Sequence, residues 1–268
     1  MSNPDLPPEL LDHVVDLLQD TRDALKNCCL VAKSWIPRSR RHLFARIAFL
    51  DAAGLRSWKT AFPDPSTSPA SHTRFLLVKY PQDITAADAE EGGWIPTFSR
   101  VVHFEVVIPC RKPFAGPYAD QLEVSLIPFH EFSPALRSLR VESVYFPLPP
   151  IVNLIYSFPC FQDLVVVVLD RFGRSDRFYK QPLVIKPPSP LAFTGVLELF
   201  LKVEMDPIAS RLLSLPNSLH FQELRLTWTH EGDILLTTAL VERCSPTLEI
   251  LEIRCCVGAT TQRSCSNQ

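Results

Sequence analysis

The stretch FQDLVVVVL, residues Phe161 to Leu169, decides how the larger part of this sequence is interpreted. Its aliphatic run from Leu164 to Leu169 is typical of a β-strand that is buried on both faces. The stretch also carries apolar residues at its first, fourth and sixth positions, Phe161, Leu164 and Val166. If this spacing recurs along the chain, it predicts a repeated strand rather than an isolated one.

The same spacing recurs after residue 98, and successive copies start 25 to 35 residues apart. A pattern of this kind resembles leucine-rich repeats in an irregular form. The six copies are Val101–Phe104–Val106, Leu136–Leu139–Val141, Phe161–Leu164–Val166, Val196–Leu199–Leu201, Phe221–Leu224–Leu226 and Leu248–Leu251–Ile253.

Helical stretches lie between several copies, at Ile151 to Phe158, Ile208 to Leu215 and Ile234 to Cys244. Strands that alternate with helices at a near-constant period predict a right-handed solenoid. The fold class is therefore α/β, with a curved parallel sheet and helices on its outer side. The alternative is a generic α/β domain whose strands share this spacing by coincidence.

The N-terminal stretch LPPELLDHVV, Leu6 to Val15, predicts a short amphipathic helix behind a double proline. Pro8 suits the first helical position, and the helix should end near Gln19. Two more short helices are predicted, from Arg22 to Cys28 and from Val31 to Leu43. Three short helices bury little surface alone, so their surplus of large apolar residues indicates a partner.

This N-terminal region resembles the F-box, over residues 5–47. The letters that carry the resemblance are LPPELL and a valine pair, then CCLVAKSW, then RRHLF. The arrangement is similar to that of F-box proteins from mushroom-forming fungi. The resemblance implies that the three helices bind the small adaptor subunit of an SCF-type ubiquitin ligase and, through it, a cullin.

Some of the apolar residues of this region are expected to contact the adaptor subunit, whereas Leu11, Val15 and Trp35 are expected to hold the three helices together. The resemblance implies these partner-binding residues: Leu6, Pro7, Leu10, Val14, Leu18, Leu25 and Val31.

Composition excludes several classes of function. The net charge is −2, so no global field attracts nucleic acid or an anionic membrane. The first residues do not form a signal peptide, and no apolar run is long enough to cross a membrane. The eight cysteines include no C-x-x-C pair, which predicts reduced thiols in a cytoplasmic or nuclear protein.

We expect no enzymatic activity, no cofactor and no metal. The sequence contains no phosphate-binding glycine loop, no G-x-S-x-G and no H-E-x-x-H. The neighbours His130–Glu131 and His230–Glu231 would point to opposite faces of a strand. The basic residues Arg38, Arg40, Arg41 and Arg46 are interpreted as a solvated helix end; a nuclear-import signal is the minor alternative.

Three regions are predicted: the F-box over 5–47, a connecting segment over 48–97, and the repeats over 98–268, without a cap at the C-terminus. The connecting segment holds two loops, Pro63 to Thr73 and Ile84 to Trp94, and a possible first strand at Phe75 to Val78.

The predicted function is that of a substrate-recognition adaptor, in which the repeats bind an unknown target protein. The alternative is an interaction scaffold that delivers nothing for degradation. Outward residues of the sheet are the candidate target contacts, and the alternative is that they only solubilise it. These residues are Arg137, Arg140, Glu223, Arg225, Glu249, Glu252 and Arg254.

Overall fold

One open parallel sheet of eight strands organises the structure, and its strands are hydrogen bonded in the order in which they occur in the chain. The coordinates are a computed structural model. It describes residues 7–79, 93–108, 126, 129–130, 132–143, 148–158, 160–168, 192–201, 206–215, 219–228 and 233–255.

Three α-helices precede the sheet. Helix α1 spans Pro8–Leu17, α2 spans Arg22–Val31 and α3 spans Ile36–Leu43. The start at Pro8 agrees with the sequence, but α2 is longer than predicted and α3 begins later. Pro37 explains the late start, because a proline fits in the first helical turn but its ring clashes with the preceding turn in a helix interior. The chain is extended at Ala32 and then forms a 3-10 turn, Lys33–Trp35.

The sheet begins earlier than the repeat pattern indicates. Two strands, β1 and β2, precede residue 98, and the first lies at the end of the region assigned to the F-box. The strands are β1 Arg46–Phe49, β2 Phe75–Lys79, β3 His103–Ile108, β4 Ser138–Ser143, β5 Cys160–Val168, β6 Ala192–Leu201, β7 Leu219–Trp228 and β8 Ile250–Cys255.

Within the described residues, four further α-helices follow strands of the sheet: α4 Ala52–Ala61, α5 Leu148–Tyr156, α6 Asp206–Leu213 and α7 Asp233–Cys244. The last three confirm the predicted helical stretches. Their buried residues belong to the same hydrophobic core as the inward side chains of the strands. The helices therefore cover one face of the sheet, and we call the other side the open face.

The predicted loop Pro63 to Thr73 contains two short 3-10 helices, Pro65–Thr67 and Pro69–His72. Asp64 and Ser68 cap the N-termini of these two helices, because their side chains accept hydrogen bonds from the backbone N–H groups of Ser66 and Ala70. The second predicted loop, Ile84 to Trp94, lies outside the described residues except at its end. None of the described helices has the length and apolar character needed to span a membrane.

Strand β5 corrects one prediction. Leu164, Val166 and Val168 are buried, but Val165 and Val167 are only half-buried on the open face. The aliphatic run is therefore not buried on both faces; the helices cover only one.

The fourth copy of the repeat, Val196–Leu199–Leu201, was assigned two residues too far along the chain. Leu164 pairs with Leu197, and Val166 pairs with Leu199, so Val196 is not the first inward residue of β6. The cause is a register shift next to Gly195, whose φ of 73° lies in the left-handed region. A Cβ atom there would lie 2.1 Å from the carbonyl oxygen of Gln162.

A series of phenylalanine rings runs through the core across neighbouring strands. Phe158 and Phe161 have ring centroids 5.6 Å apart, Phe161 and Phe193 5.8 Å, and Phe193 and Phe221 6.0 Å. All four side chains are buried. Aromatic stacking of this kind adds to the energy of burial and fixes the alignment of β5, β6 and β7.

Candidate functional site

Helix α1 carries two apolar stripes. Leu11, Val15 and Leu18 turn inward; Val15 is 1% exposed and the other two are half-buried. Leu10, Val14 and Leu17 form a second stripe at the same helical spacing, and they are 52%, 43% and 73% exposed. One face of α1 therefore packs within the chain, whereas the other is exposed to solvent.

Helix α2 repeats this division. Leu25 and Cys28 are buried, whereas Leu30 and Val31 are 84% and 68% exposed. We define the apolar helical surface as the five exposed aliphatic residues of these two helices: Leu10, Val14, Leu17, Leu30 and Val31.

The predicted partner contacts divide accordingly. Leu10, Val14 and Val31 are strongly exposed, Pro7 is exposed and Leu18 is half-buried. The assignment of Leu25 is wrong, because only 1% of its surface is exposed and it packs within the chain. Leu6 lies outside the described residues.

Leu17 and Leu30 were not assigned to the partner. The sequence pattern marks α1 as broadly apolar but does not show which stripe faces inward. That choice depends on the packing of α1 and α2 against α3, which periodicity alone does not give.

An ion-pair network connects α1 to α3. Arg38 donates from Nε to Asp16 Oδ1 at 2.6 Å and forms a second, shorter contact through Nη2 to Oδ2. His42 Nε2 lies 2.7 Å from the same Oδ1. The bonds from Arg38, and next from His42, hold the pKa of Asp16 well below its usual range. The sequence suggested that Arg38 belongs to a solvated helix end. The structure instead places it in this ion pair with Asp16.

The open face of the sheet carries the candidate target contacts. Glu105 and Arg140 are neighbours across β3 and β4, and Glu198, Arg225 and Glu252 are neighbours across β6, β7 and β8. Arg140, Glu223, Arg225, Glu252 and Arg254 lie on these strands as predicted.

The remaining two candidates precede their strands. Arg137 donates from Nη1 to the carbonyl oxygen of Leu136 and contacts Cys160 Sγ at 3.5 Å. Glu249 lies just before β8 and donates its backbone N–H to Gln222. Neither is therefore an outward residue within a strand, which corrects that part of the prediction.

Ion pairs connect most of the charges on the open face. Arg225 lies 2.6 Å from Glu223, 3.8 Å from Glu198 and 4.0 Å from Glu252. Arg254 Nη2 lies 2.5 Å from Glu252, and Arg140 Nε lies 3.5 Å from Glu105. The hydrogen bond that Arg225 Nε donates to Glu223 raises the pKa of Arg225. A partner that uses these charges must compete with the pairs that they already form.

Half-buried apolar residues accompany these charges on the open face. Val167 of β5 pairs with Phe200 of β6. Val165 and Val196 lie on the same face, where they pair with Glu198 and Asp163. Phe200 also lines a shallow depression together with Arg225 and Thr227. We call these four half-buried residues, Val165, Val167, Val196 and Phe200, the apolar strip. The sequence analysis named only charged residues on this face and missed the strip. Its members alternate with the buried residues of β5 and β6, so they could have been found once the buried positions were known.

The described residues contain no group of three or more histidine, cysteine or acidic side chains placed to hold a metal ion. Cys28, Cys29, Cys160 and Cys244 are free thiols, and burial raises the pKa of Cys244. The two predicted His–Glu neighbours are not described in full, since Glu131 and residues 229–232 lie outside the described part.

Comparison with known proteins gives no relative of this chain: no family model, no curated protein and no solved structure matches it. The class that the structure itself defines is a mixed α/β protein with one open eight-stranded parallel sheet.

Proposed function

We propose that this protein is the substrate-recognition adaptor of an SCF-type cullin ubiquitin ligase. In this proposal, the N-terminal helices are an F-box that binds the small adaptor subunit, and a leucine-rich-repeat-like solenoid binds a target protein. The observation that carries the proposal is the apolar helical surface, which is exposed although α1 and α2 also have buried faces.

The size of the apolar helical surface fits a shared interface. Full burial of one aliphatic side chain contributes about 1.5–3 kcal/mol, so five contribute on the order of 7–15 kcal/mol before any cost. Association costs roughly 4–15 kcal/mol. A stable complex therefore requires most of the five residues to be buried together, which a groove on the partner would allow.

The sheet supports the second half of the proposal. Its strands follow one another in chain order and are all parallel, as in a solenoid of stacked repeats. The open face then offers an extended surface with charged side chains and an apolar strip. We propose that a target protein binds there, and that the helix-covered side does not take part.

Assembly with purified components tests the adaptor role. The full chain should co-elute with the small SCF adaptor subunit in size-exclusion chromatography, and the pair should then bind the N-terminal part of a cullin. Absence of a complex at micromolar concentrations, with the chain folded, would reject the proposal.

The target surface is tested by charge reversal. Arg140→Glu together with Arg225→Glu and Glu252→Arg should abolish capture of target proteins from cells treated with a proteasome inhibitor, while binding of the adaptor subunit remains. The exposed helix positions Glu242 and Arg243 provide the matched reversal on the other side. If only this second reversal removes the targets, the assignment of faces is inverted.

The same experiment separates degradation from simple scaffolding. Captured proteins that become more abundant when the proteasome is inhibited support a degradative adaptor. Captured proteins whose abundance does not change favour the scaffold.

A further inference from the structure

Four arginine side chains and one histidine lie together at the end of the sheet where β2 and β3 begin. We call them the basic cluster: Arg40, Arg41, His72, Arg74 and Arg100. They come from separate segments of the chain, namely the last turn of α3, the 3-10 helix Pro69–His72, the residue before β2, and the turn before β3.

Backbone hydrogen bonds fix these segments relative to one another. The backbone N–H of Arg74 donates to Ala45 at 2.8 Å, and its carbonyl oxygen accepts from Val102 at 2.8 Å and His103 at 3.0 Å. The Arg74 side chain donates from Nη1 to the carbonyl oxygen of Arg100 at 3.4 Å. The residues of the cluster are therefore held in fixed positions at the end of the sheet where β2 and β3 begin, and they do not lie on independent loops.

The charges of the cluster act on one another. Burial lowers the pKa of His72, and the positive charges of Arg40, Arg100 and Arg41 lower it further. Three arginines from two segments thus lie close enough to oppose a proton on this imidazole.

Several other arginines of the described chain pair with carboxylates. Arg38 pairs with Asp16, and Arg225 pairs with Glu223. In contrast, the described residues show no ion pair for Arg40, Arg41, Arg74 or Arg100, and the last three are exposed. Like charges with no counterion among the described residues create a local positive field, here in a chain whose net charge is −2.

We propose that the basic cluster binds an acidic peptide segment of another protein. The planar guanidinium group of arginine can donate two parallel hydrogen bonds to one carboxylate. Several guanidinium groups in the basic cluster can therefore bind a run of Asp and Glu side chains. The proposal does not depend on the F-box assignment, since none of these side chains belongs to the apolar helical surface.

A peptide fits this site better than a nucleic acid. Binding of single strands needs free aromatic faces on which bases stack. The half-exposed ring near the cluster, Phe75, already lies under the guanidinium of Arg46, whose Cζ is 5.1 Å from the ring centroid.

Titration of the full chain with a fluorescent hexaglutamate peptide tests the proposal. The peptide should bind, its affinity should fall steeply as salt is raised, and a hexalysine peptide should not bind. The variant Arg40→Gln/Arg41→Gln/Arg100→Gln should weaken binding by at least about tenfold, because three charge pairs with the peptide are lost. The matched variant Arg140→Gln/Arg225→Gln/Arg254→Gln should stay within about twofold of the native affinity.

The His72 imidazole reports where the peptide binds. An anion beside the arginines offsets their charge, so the pKa of His72 measured by NMR should rise when the hexaglutamate peptide is added. If the triple variant is unstable, Arg41→Gln alone replaces it, because Arg41 is exposed and its loss should still weaken binding measurably.

Two results would overturn the proposal. In the first, the cluster variants bind the peptide as tightly as the native chain, or the pKa of His72 does not change. In the second, a single-stranded oligonucleotide or a vesicle of anionic lipid binds through the same arginines more tightly than the peptide, which would assign the cluster to that class of ligand instead.

Discussion

Asp16 joins α1 to α3. Its carboxylate binds Arg38 and His42 on α3, and Leu11, Val15 and Leu18 of the same segment turn inward. The other stripe, Leu10, Val14 and Leu17, is exposed. The ion pair therefore stabilises the contact between α1 and α3 and is not part of the apolar helical surface.

Replacing Asp16 by Asn should lower the stability of the chain at neutral pH. The pKa of Asp16 is depressed in the folded state, so its ionised form stabilises the fold above about pH 4, where the unfolded carboxyl is also ionised. This contribution is lost as the pH falls through the pKa of the folded state. Urea unfolding should show a lower midpoint for Asp16→Asn at pH 7.

The difference between native chain and variant should shrink as the pH is lowered towards about 2. Asp20→Asn is the matched control, since Asp20 is exposed just beyond the same helix. A midpoint for Asp16→Asn equal to that of the control at neutral pH would show that the network does not stabilise the fold.

Gly195 is the residue at which the repeat is displaced, and Gly195→Ala should be strongly destabilising. Its positive φ and the 2.1 Å approach of a Cβ atom to Gln162 both oppose a side chain. Backbone strain of this kind costs about 1–3 kcal/mol, and the overlap with a carbonyl oxygen adds to it. Guanidinium unfolding would measure the loss.

Gly54→Ala in helix α4 is the matched control. The nearest atom to its added Cβ is Asp51 Oδ1 at 3.4 Å, an ordinary contact with a flexible side chain. Alanine favours a helix over glycine by about 1 kcal/mol, so this variant should be neutral or more stable. Similar losses at both glycines would contradict the role given to Gly195.

At the scale of elements, the sequence indicated the repeating strands and the helices α5, α6 and α7, because periods of two and of 3.6 residues are written directly in the apolar pattern. It missed β1 and gave β2 only as a possible first strand, since these short strands lack the full repeat spacing. It misplaced the inward residues of β6, because the register shift at Gly195 depends on contact with Gln162 of the neighbouring strand.

The apolar helical surface was predicted only in part for a related reason. The apolar spacing in α1 and α2 shows which positions are apolar. It does not show that Leu25 is buried and Leu30 exposed, because that difference depends on how α2 packs against α3. That difference is a property of tertiary packing.

Strand β8 should be the least protected strand of the sheet. Leu251 and Ile253 occupy positions whose neighbours on β7, Leu224 and Leu226, are buried, yet each is 45% exposed. Hydrogen exchange should therefore be much faster for amides from Ile250 to Arg254 than for those from Leu164 to Val168. Equal protection in a dilute monomer would show that β8 is covered, for example by residues after Cys255.

At the scale of the whole molecule, the N-terminal helices and the sheet are connected by packing. Phe44, directly after α3, places its ring 5.9 Å from Trp58 and 5.9 Å from Phe62. The Thr73 hydroxyl donates to the carbonyl oxygen of Phe44 at 3.0 Å. A fragment that ends near residue 50 would lose these contacts, so binding to the adaptor subunit is best measured with the full chain.

The central claim is that the exposed stripe of α1 binds the small SCF adaptor subunit, and calorimetric titration of that subunit into the full chain tests it most directly. Leu10→Asp and Val14→Asp should each abolish measurable binding, because a buried unpaired charge costs several kcal/mol. Leu50→Asp, at a side chain that is 57% exposed after β1, should bind like the native chain. Native affinity in both α1 variants, with the fold intact, would contradict the account.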